Sequence, residues 1–129
     1  MRQGCRSQAA LFVLGLWMSL CSGTLYAFSA WEGQLMKRFS FNAQELDVIY
    51  ASGQLGSGLA IVPGLLHDSC GAGAEAIYAC VAIVLGTVGL RVALLAHHPS
   101  SWFFALCYFA LQNGSTALYH VALFSNVQI

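Results

Sequence analysis

The chain has 129 residues, of which 58% are hydrophobic and 8% are charged, and its formal net charge is zero. Soluble domains carry about 25% charged residues, so this composition excludes an ordinary water-covered surface and predicts a surface that faces lipid. The neutral charge balance, with no cluster of Lys and Arg among aromatic residues, argues against a nucleic-acid partner.

Four apolar stretches are each long enough to cross a bilayer. The hydrocarbon core is about 30 Å thick and a helix rises about 1.5 Å per residue, so one crossing takes about 20 apolar residues. The sequence predicts an all-α polytopic membrane protein with a single membrane domain, residues 1–129, and transmembrane helices at about residues 9–31, 43–66, 74–96 and 101–124. The lipid bilayer is therefore an expected partner, and the expected location is a membrane.

The first apolar stretch also fits a secretory signal. Arg2 and Arg6 precede it, residues 9–20 would be the apolar region, and cleavage would follow Gly23 or Ala27. The apolar run continues for longer than such a region usually does, and three further spans follow. We therefore expect an uncleaved transmembrane helix. Lys and Arg are balanced between the tail and the first loop, so the positive-inside rule does not choose an orientation.

Cap chemistry marks the start of the second helix. Asn42 and Glu45 have the spacing of a capping box, and Phe41 and Leu46 have the spacing of the hydrophobic staple that surrounds it. The helix is predicted to begin near Ala43. A polar loop is expected just before it.

The later helices are separated by very short breaks. Gly71 and Gly73 interrupt the chain between the second and third spans. Pro99 lies between the third and fourth, where Ser100 or Ser101 is the expected cap. Breaks this short make the second and third helices antiparallel neighbours, and likewise the third and fourth.

Small residues recur at every fourth position in the first two helices. Helices in lipid associate by close packing, so their interfaces are rich in small residues, and a spacing of four keeps them near one face. The predicted helix-packing stripes are Gly15, Ser19, Gly23 and Ala27 in the first helix and Ser52, Gly56, Ala60 and Gly64 in the second. Static packing and a surface on which helices slide are both consistent with this pattern.

The octet GLLHDSCG, residues 64–71, resembles the loop between helices 2 and 3 of the major facilitator superfamily. That pattern is G-x-L-x-D-x-x-G, and the matching positions are Gly64, Leu66, Asp68 and Gly71. The basic pair that follows in the family is replaced by Ala72 and Gly73. The resemblance implies a gating loop that contains Gly64, Asp68 and Gly71, and the missing basic pair is a departure from the family's charge relay. A plain turn with Asp68 as a cap explains the octet equally well.

Three further segments resemble the nodulin-like branch of that superfamily. They are GTLYAFS at residues 23–29, the glycine run from Gly53 to Gly58, and QNGS at residues 112–115. The resemblance covers about residues 9–126. It implies transport of a small solute by a twelve-helix fold in two halves, with a cytoplasmic N-terminus. This chain would be an N-terminal fragment, and the missing helices of the same transporter would be its partners.

Polar residues inside membrane spans are functional candidates, because they are expensive to bury in lipid. In the family that the chain resembles, helices 1 and 4 line the central cavity. The implied substrate and proton pathway contains Tyr26, Gln112, Asn113, Tyr119 and His120. Histidine titrates near neutral pH and so suits proton coupling. An interhelical hydrogen bond, or a position near the membrane surface, would also explain His120.

No enzyme is expected, because the sequence has no nucleophile elbow, no paired-carboxylate site and no phosphate loop. No cofactor is expected either. The five cysteines form no CxxC pair, and His97 with His98 is an isolated pair, so neither a disulfide framework nor a metal site is predicted. Two alternatives stay open. One is a small dimeric exporter, although the first helix lacks the glutamate of such proteins. The other is a structural or adaptor protein with four helices, although its longest loop would be only about residues 32–42.

Overall fold

The computed structural model describes residues 12–20, 23, 28–59, 61–96 and 100–127, with side chains to residue 124. This part of the chain is helical and contains no strand, which confirms the all-α class. The six helices are α1 (residues 12–20), α2 (Phe28–Phe39), α3 (Ala43–Gly58), α4 (Ile61–Cys70), α5 (Ala72–Leu95) and α6 (Ser101–Val127).

Two helical stretches in the described part are long and apolar enough to cross a membrane. The first is Ala43–Cys70, which is α3 with α4, and its mean hydropathy is 1.3; the second is α5, at 2.1. They coincide with the second and third predicted spans. Helix α6 has 27 residues, but Gln112 and Asn113 lie near its middle and make it more polar than a typical span.

Helix α6 is the centre of the packing, because both α5 and α3 lie along it. Phe104, Tyr108 and Leu111 of α6 form one core cluster with Ile49 of α3 and Ala93 of α5. The position of α6 between two long helices explains why its side chains are among the most buried in the chain.

A second, smaller cluster lies at the other end of the contact between α5 and α6. It joins Ala79 of α5 to Ala117 and Leu118 of α6, and Met18 of α1 packs against it. This cluster places part of α1 beside the N-terminal half of α5.

Small residues let the helix backbones approach closely. A Cβ added at Gly86 of α5 would lie 2.7 Å from the backbone nitrogen of Leu111 and 2.8 Å from the carbonyl oxygen of Cys107. At Gly114 of α6 it would lie 2.9 Å from the carbonyl oxygen of Ala79. Only glycine permits contacts of this kind, which are typical of helix packing in lipid.

The predicted packing stripe of the second helix divides into two parts. A Cβ at Gly56 would collide with the backbone of Phe109, and the Ser52 hydroxyl donates a hydrogen bond to the carbonyl oxygen of Ala105 (2.8 Å). Gly64 has nothing within 4 Å of that position, and Ala60 lies outside the described residues. The stripe fails at Gly64 because α3 ends at Gly58, so Gly64 belongs to the next helix.

The stripe of the first helix is only partly described. Gly15 is buried and Ser19 is half-buried, whereas Gly23 is exposed with nothing within 4 Å of an added Cβ. Ala27 lies outside the described residues. Gly23 therefore makes no close packing contact with the described part of the chain.

Residues 32–39 are helical, whereas the sequence analysis assigned them to a polar loop. Helix α2 carries Phe28, Trp31, Leu35 and Phe39 at spacings of three and four, which is the pattern of an amphipathic helix. Phe28 and Leu35 are buried in the core cluster of α6. The Phe28 ring lies 5.2 Å from the Tyr108 ring. This apolar face outweighs the charged residues that suggested a loop.

Local capping and turn chemistry account for three helix boundaries in the structure. Helix α3 begins at Ala43, with Glu45 N–H donating to Asn42 Oδ1 (2.8 Å) and Asn42 N–H donating to Glu45 Oε2 (3.0 Å). Gly71 separates α4 from α5 at a φ of 83°, where glycine is favoured. Helix α6 begins at Ser101.

Candidate functional site

The buried face of α6 is polar at its middle. Gln112, Asn113 and Ser115 are 1%, 4% and 1% exposed. Buried polar groups require hydrogen-bond partners, and more so in an apolar protein. The partners of Asn113 come from two other helices, so this side chain joins three helices.

Asn113 forms hydrogen bonds with backbone carbonyl groups at the break between α3 and α4. Its amide nitrogen donates to the carbonyl oxygens of Gly56 (2.8 Å) and Leu59 (3.3 Å). Pro63 has no N–H, so the carbonyl four residues earlier, that of Leu59, has lost its helical donor. The Asn113 oxygen accepts from the hydroxyl of Tyr78 on α5 (2.5 Å).

Gln112 is less completely bonded than Asn113. Its amide nitrogen donates to the Tyr108 hydroxyl at 2.5 Å, one turn earlier in the same helix. Its oxygen is buried and has no hydrogen-bond partner in the described part of the chain. A buried, unbonded amide oxygen next to the contact with α3 is a candidate acceptor for a polar group that approaches this face.

Three ionisable side chains meet where α4, α5 and α6 come together. Glu75, in the first turn of α5, is 0% exposed. Its Oε2 lies 2.7 Å from Nδ1 of His67, in the last turn of α4. Its Oε1 lies 4.0 Å from Nδ1 of His120 on α6. We call Glu75, His67 and His120 the His–Glu–His cluster.

The cluster is closed on one side by an aromatic ring. Phe124 of α6 lies 5.1 Å from the His67 ring and 6.3 Å from the His120 ring, between ring centres. The two histidine side chains remain 18% and 27% exposed. Protons can therefore reach the imidazoles while the carboxylate stays out of contact with solvent. No group of His, Cys, Asp and Glu within the described ranges is arranged to hold a metal ion.

The structure separates the predicted pathway residues. Gln112 and Asn113 are turned into the contacts of α6 with its neighbours, and His120 joins the His–Glu–His cluster. Tyr119 is 42% exposed and faces away from this interior. Tyr26 lies outside the described residues. Their assignment to a substrate pathway stays a prediction.

The predicted gating-loop residues surround the turn between α4 and α5. Gly71 adopts the left-handed conformation that this turn requires, Asp68 is exposed, and Gly64 lies within α4. The gating role itself stays a prediction.

Sequence reasoning did not identify Glu75 and His67 as site residues. Glu75 stands just before an apolar span, where an acidic residue has an ordinary role at the positive end of a helix dipole. His67 stood inside the octet that resembles the gating loop. A signal was present in the sequence, since Glu75 is the one acidic residue between Asp68 and the C-terminus.

Comparisons with protein-family models, with curated proteins and with solved structures found no match to this chain.

Proposed function

We propose that this chain is a multi-spanning membrane protein, and that it forms the N-terminal part of a secondary transporter for a small solute, of the major-facilitator, nodulin-like type. The observation that carries the proposal is an inside-out distribution of polarity. Hydrogen-bonding and ionisable side chains lie between the helices, and large apolar side chains point outward.

The outward-facing side chains of α3, α4 and α5 are strongly apolar. Large exposed residues follow one another along these helices, with exposed fractions of 64–73% at Leu55, Ile61, Ile77, Leu85 and Leu95. Soluble proteins rarely expose contiguous apolar surface on this scale. Lipid, and further helices of the same transporter, would cover these faces.

The polar and ionisable side chains between the helices favour transport over assembly alone. A protein that used its helices only as a scaffold would have little need for a buried carboxylate. Ionisable residues within membrane bundles commonly mark ion and substrate pathways. Glu75 with two histidines is such a feature, and the polar face of α6 at Asn113 is a second one nearby.

Membrane insertion can be tested with two native cysteines. Cys70, at the end of α4, and Cys80, inside α5, are both exposed in the structure. Maleimide reacts with the thiolate, which does not form against acyl chains. In single-cysteine variants within native membranes, Cys70 should label and Cys80 should not, whereas both should label after denaturation. Equal labelling in native membranes would contradict insertion of α5.

The same pair of variants tests the orientation. A cytoplasmic N-terminus places the turn after α4 on the cytoplasmic side. A membrane-impermeant maleimide applied to intact cells should then leave Cys70 unlabelled, and a permeant maleimide should label it.

Transport is tested by flux through the complete gene product in proteoliposomes. The probes are radiolabelled lactate, nitrate, leucine and glucose, which represent four classes of small solute. We expect saturable uptake of one class, and its loss in Asn113→Leu. Correct membrane insertion without saturable uptake of any of the four would favour the structural or adaptor alternative.

A further inference from the structure

We propose that the His–Glu–His cluster is a proton-binding site, and that the proton bound there fastens α6 to the α4–α5 turn. The site goes beyond solute transport and does not depend on it, because it requires only the folded chain. In a transporter it would be a point at which proton binding changes the contacts between helices.

One of the two oxygens of the Glu75 carboxylate has no hydrogen-bond donor within the described residues. Glu75 Oε2 accepts from His67 Nδ1 at 2.7 Å, which a neutral imidazole can supply. Oε1 has no hydrogen-bond partner within the described residues, and His120 Nδ1 stands 4.0 Å away. That distance is too long for a hydrogen bond but short enough for an ion pair. A protonated His120 always carries an N–H at Nδ1 and adds a positive charge, so it would face Oε1 both as a donor and as a counterion.

The charge of the cluster favours the same step. An ionised Glu75 between two neutral imidazoles would leave a net negative charge at a position that is 0% exposed. Uncompensated buried charge is strongly unfavourable. Binding one proton makes the cluster neutral as a whole. Because one carboxylate lies close to both imidazoles, the proton would belong to the cluster and not to one residue.

The helix ends also support an ion pair in this place. Glu75 lies in the first turn of α5, where the positive end of the dipole favours an anion. His67 lies in the last turn of α4, where the negative end favours a cation. The two helices meet at Gly71, so both effects act on the same pair.

Among the residues that the structure describes, no other charged group faces this carboxylate. On α4 the adjacent Asp68 is exposed, and on α6 the adjacent Tyr119 is exposed. On α5, Tyr78 lies one turn after Glu75, and its hydroxyl donates to Asn113. Residues 12–20 of α1 contain no ionisable side chain. The groups that face Glu75 are therefore the two histidines.

Proton binding would change a helix contact. A protonated His120 would donate to Oε1 and close the 4.0 Å gap, drawing this turn of α6 toward α5. His67 would keep its bond to Oε2, so the same carboxylate would link α4, α5 and α6. Without that proton the charge attraction between His120 and Glu75 is absent, and the ring of Phe124 still contacts both histidines.

The titration is tested by NMR of the two imidazoles. The complete protein is labelled with nitrogen-15 histidine and placed in detergent micelles, with His97 and His98 replaced by glutamine. The pH is then lowered from about 8 to about 5, which spans the range in which histidine normally titrates. We expect the His67 and His120 signals to move together in one step.

Glu75→Gln is the decisive variant, because it keeps the shape and removes the charge. The joint step should move to lower pH by about one unit or more, which is a tenfold loss of proton affinity. Asp47→Asn, which removes an exposed carboxylate on α3, is the control and should leave the step unchanged. His120→Asn keeps the His67–Glu75 bond. In this variant the titration step of His67 should also move to lower pH.

A stability measurement provides a readout that does not rely on assignment of signals. If the folded protein binds the proton more tightly than the unfolded chain, stability falls as pH rises. The thermal midpoint of the wild-type protein should therefore rise as the pH is lowered from about 8 to about 6.5. Glu75→Gln should lose this increase while remaining folded.

Three results would overturn the proposal. The two imidazoles could titrate independently, or wild type and Glu75→Gln could share one pH dependence. The third is a rise in the midpoint when zinc chloride is added at about pH 8, reversed by EDTA and lost in Glu75→Gln, because neutral histidines bind metals. That result would assign the cluster to a metal ion instead.

Discussion

The contact between α3 and α6 makes a sharp prediction for Gly56→Ala. The new Cβ would meet the carbonyl group of Phe109 and lie 3.2 Å from its Cα, and these backbone atoms cannot rotate away. The two helices would have to separate. Overpacking of this kind costs about 1–3 kcal/mol. The stretched hydrogen bond from Asn113 to the Gly56 carbonyl oxygen would add about 0.6 kcal/mol.

Gly64→Ala is the matched control, because Gly64 is also helical and an added Cβ there meets nothing within 4 Å. Both substitutions remove a helical glycine, so the gain of about 1 kcal/mol in helix propensity cancels between them. Gly56→Ala should thus be less stable than Gly64→Ala by about 1.6–3.6 kcal/mol.

The assay is the midpoint of thermal unfolding of both variants in the same detergent. For a chain of this size that difference corresponds to about 10 °C. Equal midpoints would refute the close approach of α3 and α6, and with it the central position of α6. A large loss in Gly64→Ala instead would show that α4 packs against something that the described part of the chain does not contain.

Three further substitutions test individual contacts by the same thermal assay. Arg38→Gln removes a hydrogen bond to the carbonyl oxygen of Leu94, in the last turn of α5 (3.1 Å), and should lower the free energy of unfolding by about 0.3–1 kcal/mol. Lys37→Gln, one position earlier, is the control and should lower it by less. Asn42→Ala removes the side-chain half of the capping box and should cost about 1 kcal/mol. Tyr78→Phe removes the donor to Asn113 and should cost about 0.6–1.7 kcal/mol; an unchanged midpoint would mean that this bond contributes nothing to the packing of α5 on α6.

Local chemistry in the sequence was sufficient for several features of the fold. The capping box at Asn42 and Glu45 located the start of α3, and Gly71 located the break before α5, although α4 continues to Cys70, past the predicted end at residue 66. These features involve residues within a few positions of each other, so no tertiary contact is needed to decide them. Composition alone predicted an apolar, all-helical chain, because too few charged residues are present to cover a soluble surface.

Long-range contacts decided the features that sequence reasoning did not reach. The segment after Phe28 is helical because its apolar face finds Tyr108, 80 positions later in the chain. Gly56 and Gly64 both belong to the predicted packing stripe, in which small residues recur at every fourth position. An added Cβ would meet the backbone of another helix only at Gly56. A spacing of four residues keeps side chains on one face only while a helix continues, and α3 ends between these two glycines.

The His–Glu–His cluster is the clearest case of a feature that depends on long-range contacts. The order of residues alone is enough to place the Glu75 carboxylate at the first turn of a long apolar helix, a position with an ordinary electrostatic explanation. Only the tertiary structure brings His67, eight positions before Glu75, and His120, 45 positions after it, to the same carboxylate. No periodicity within one helix connects these residues, because each lies on a different helix, and their meeting depends on how α4 and α6 pack around the start of α5.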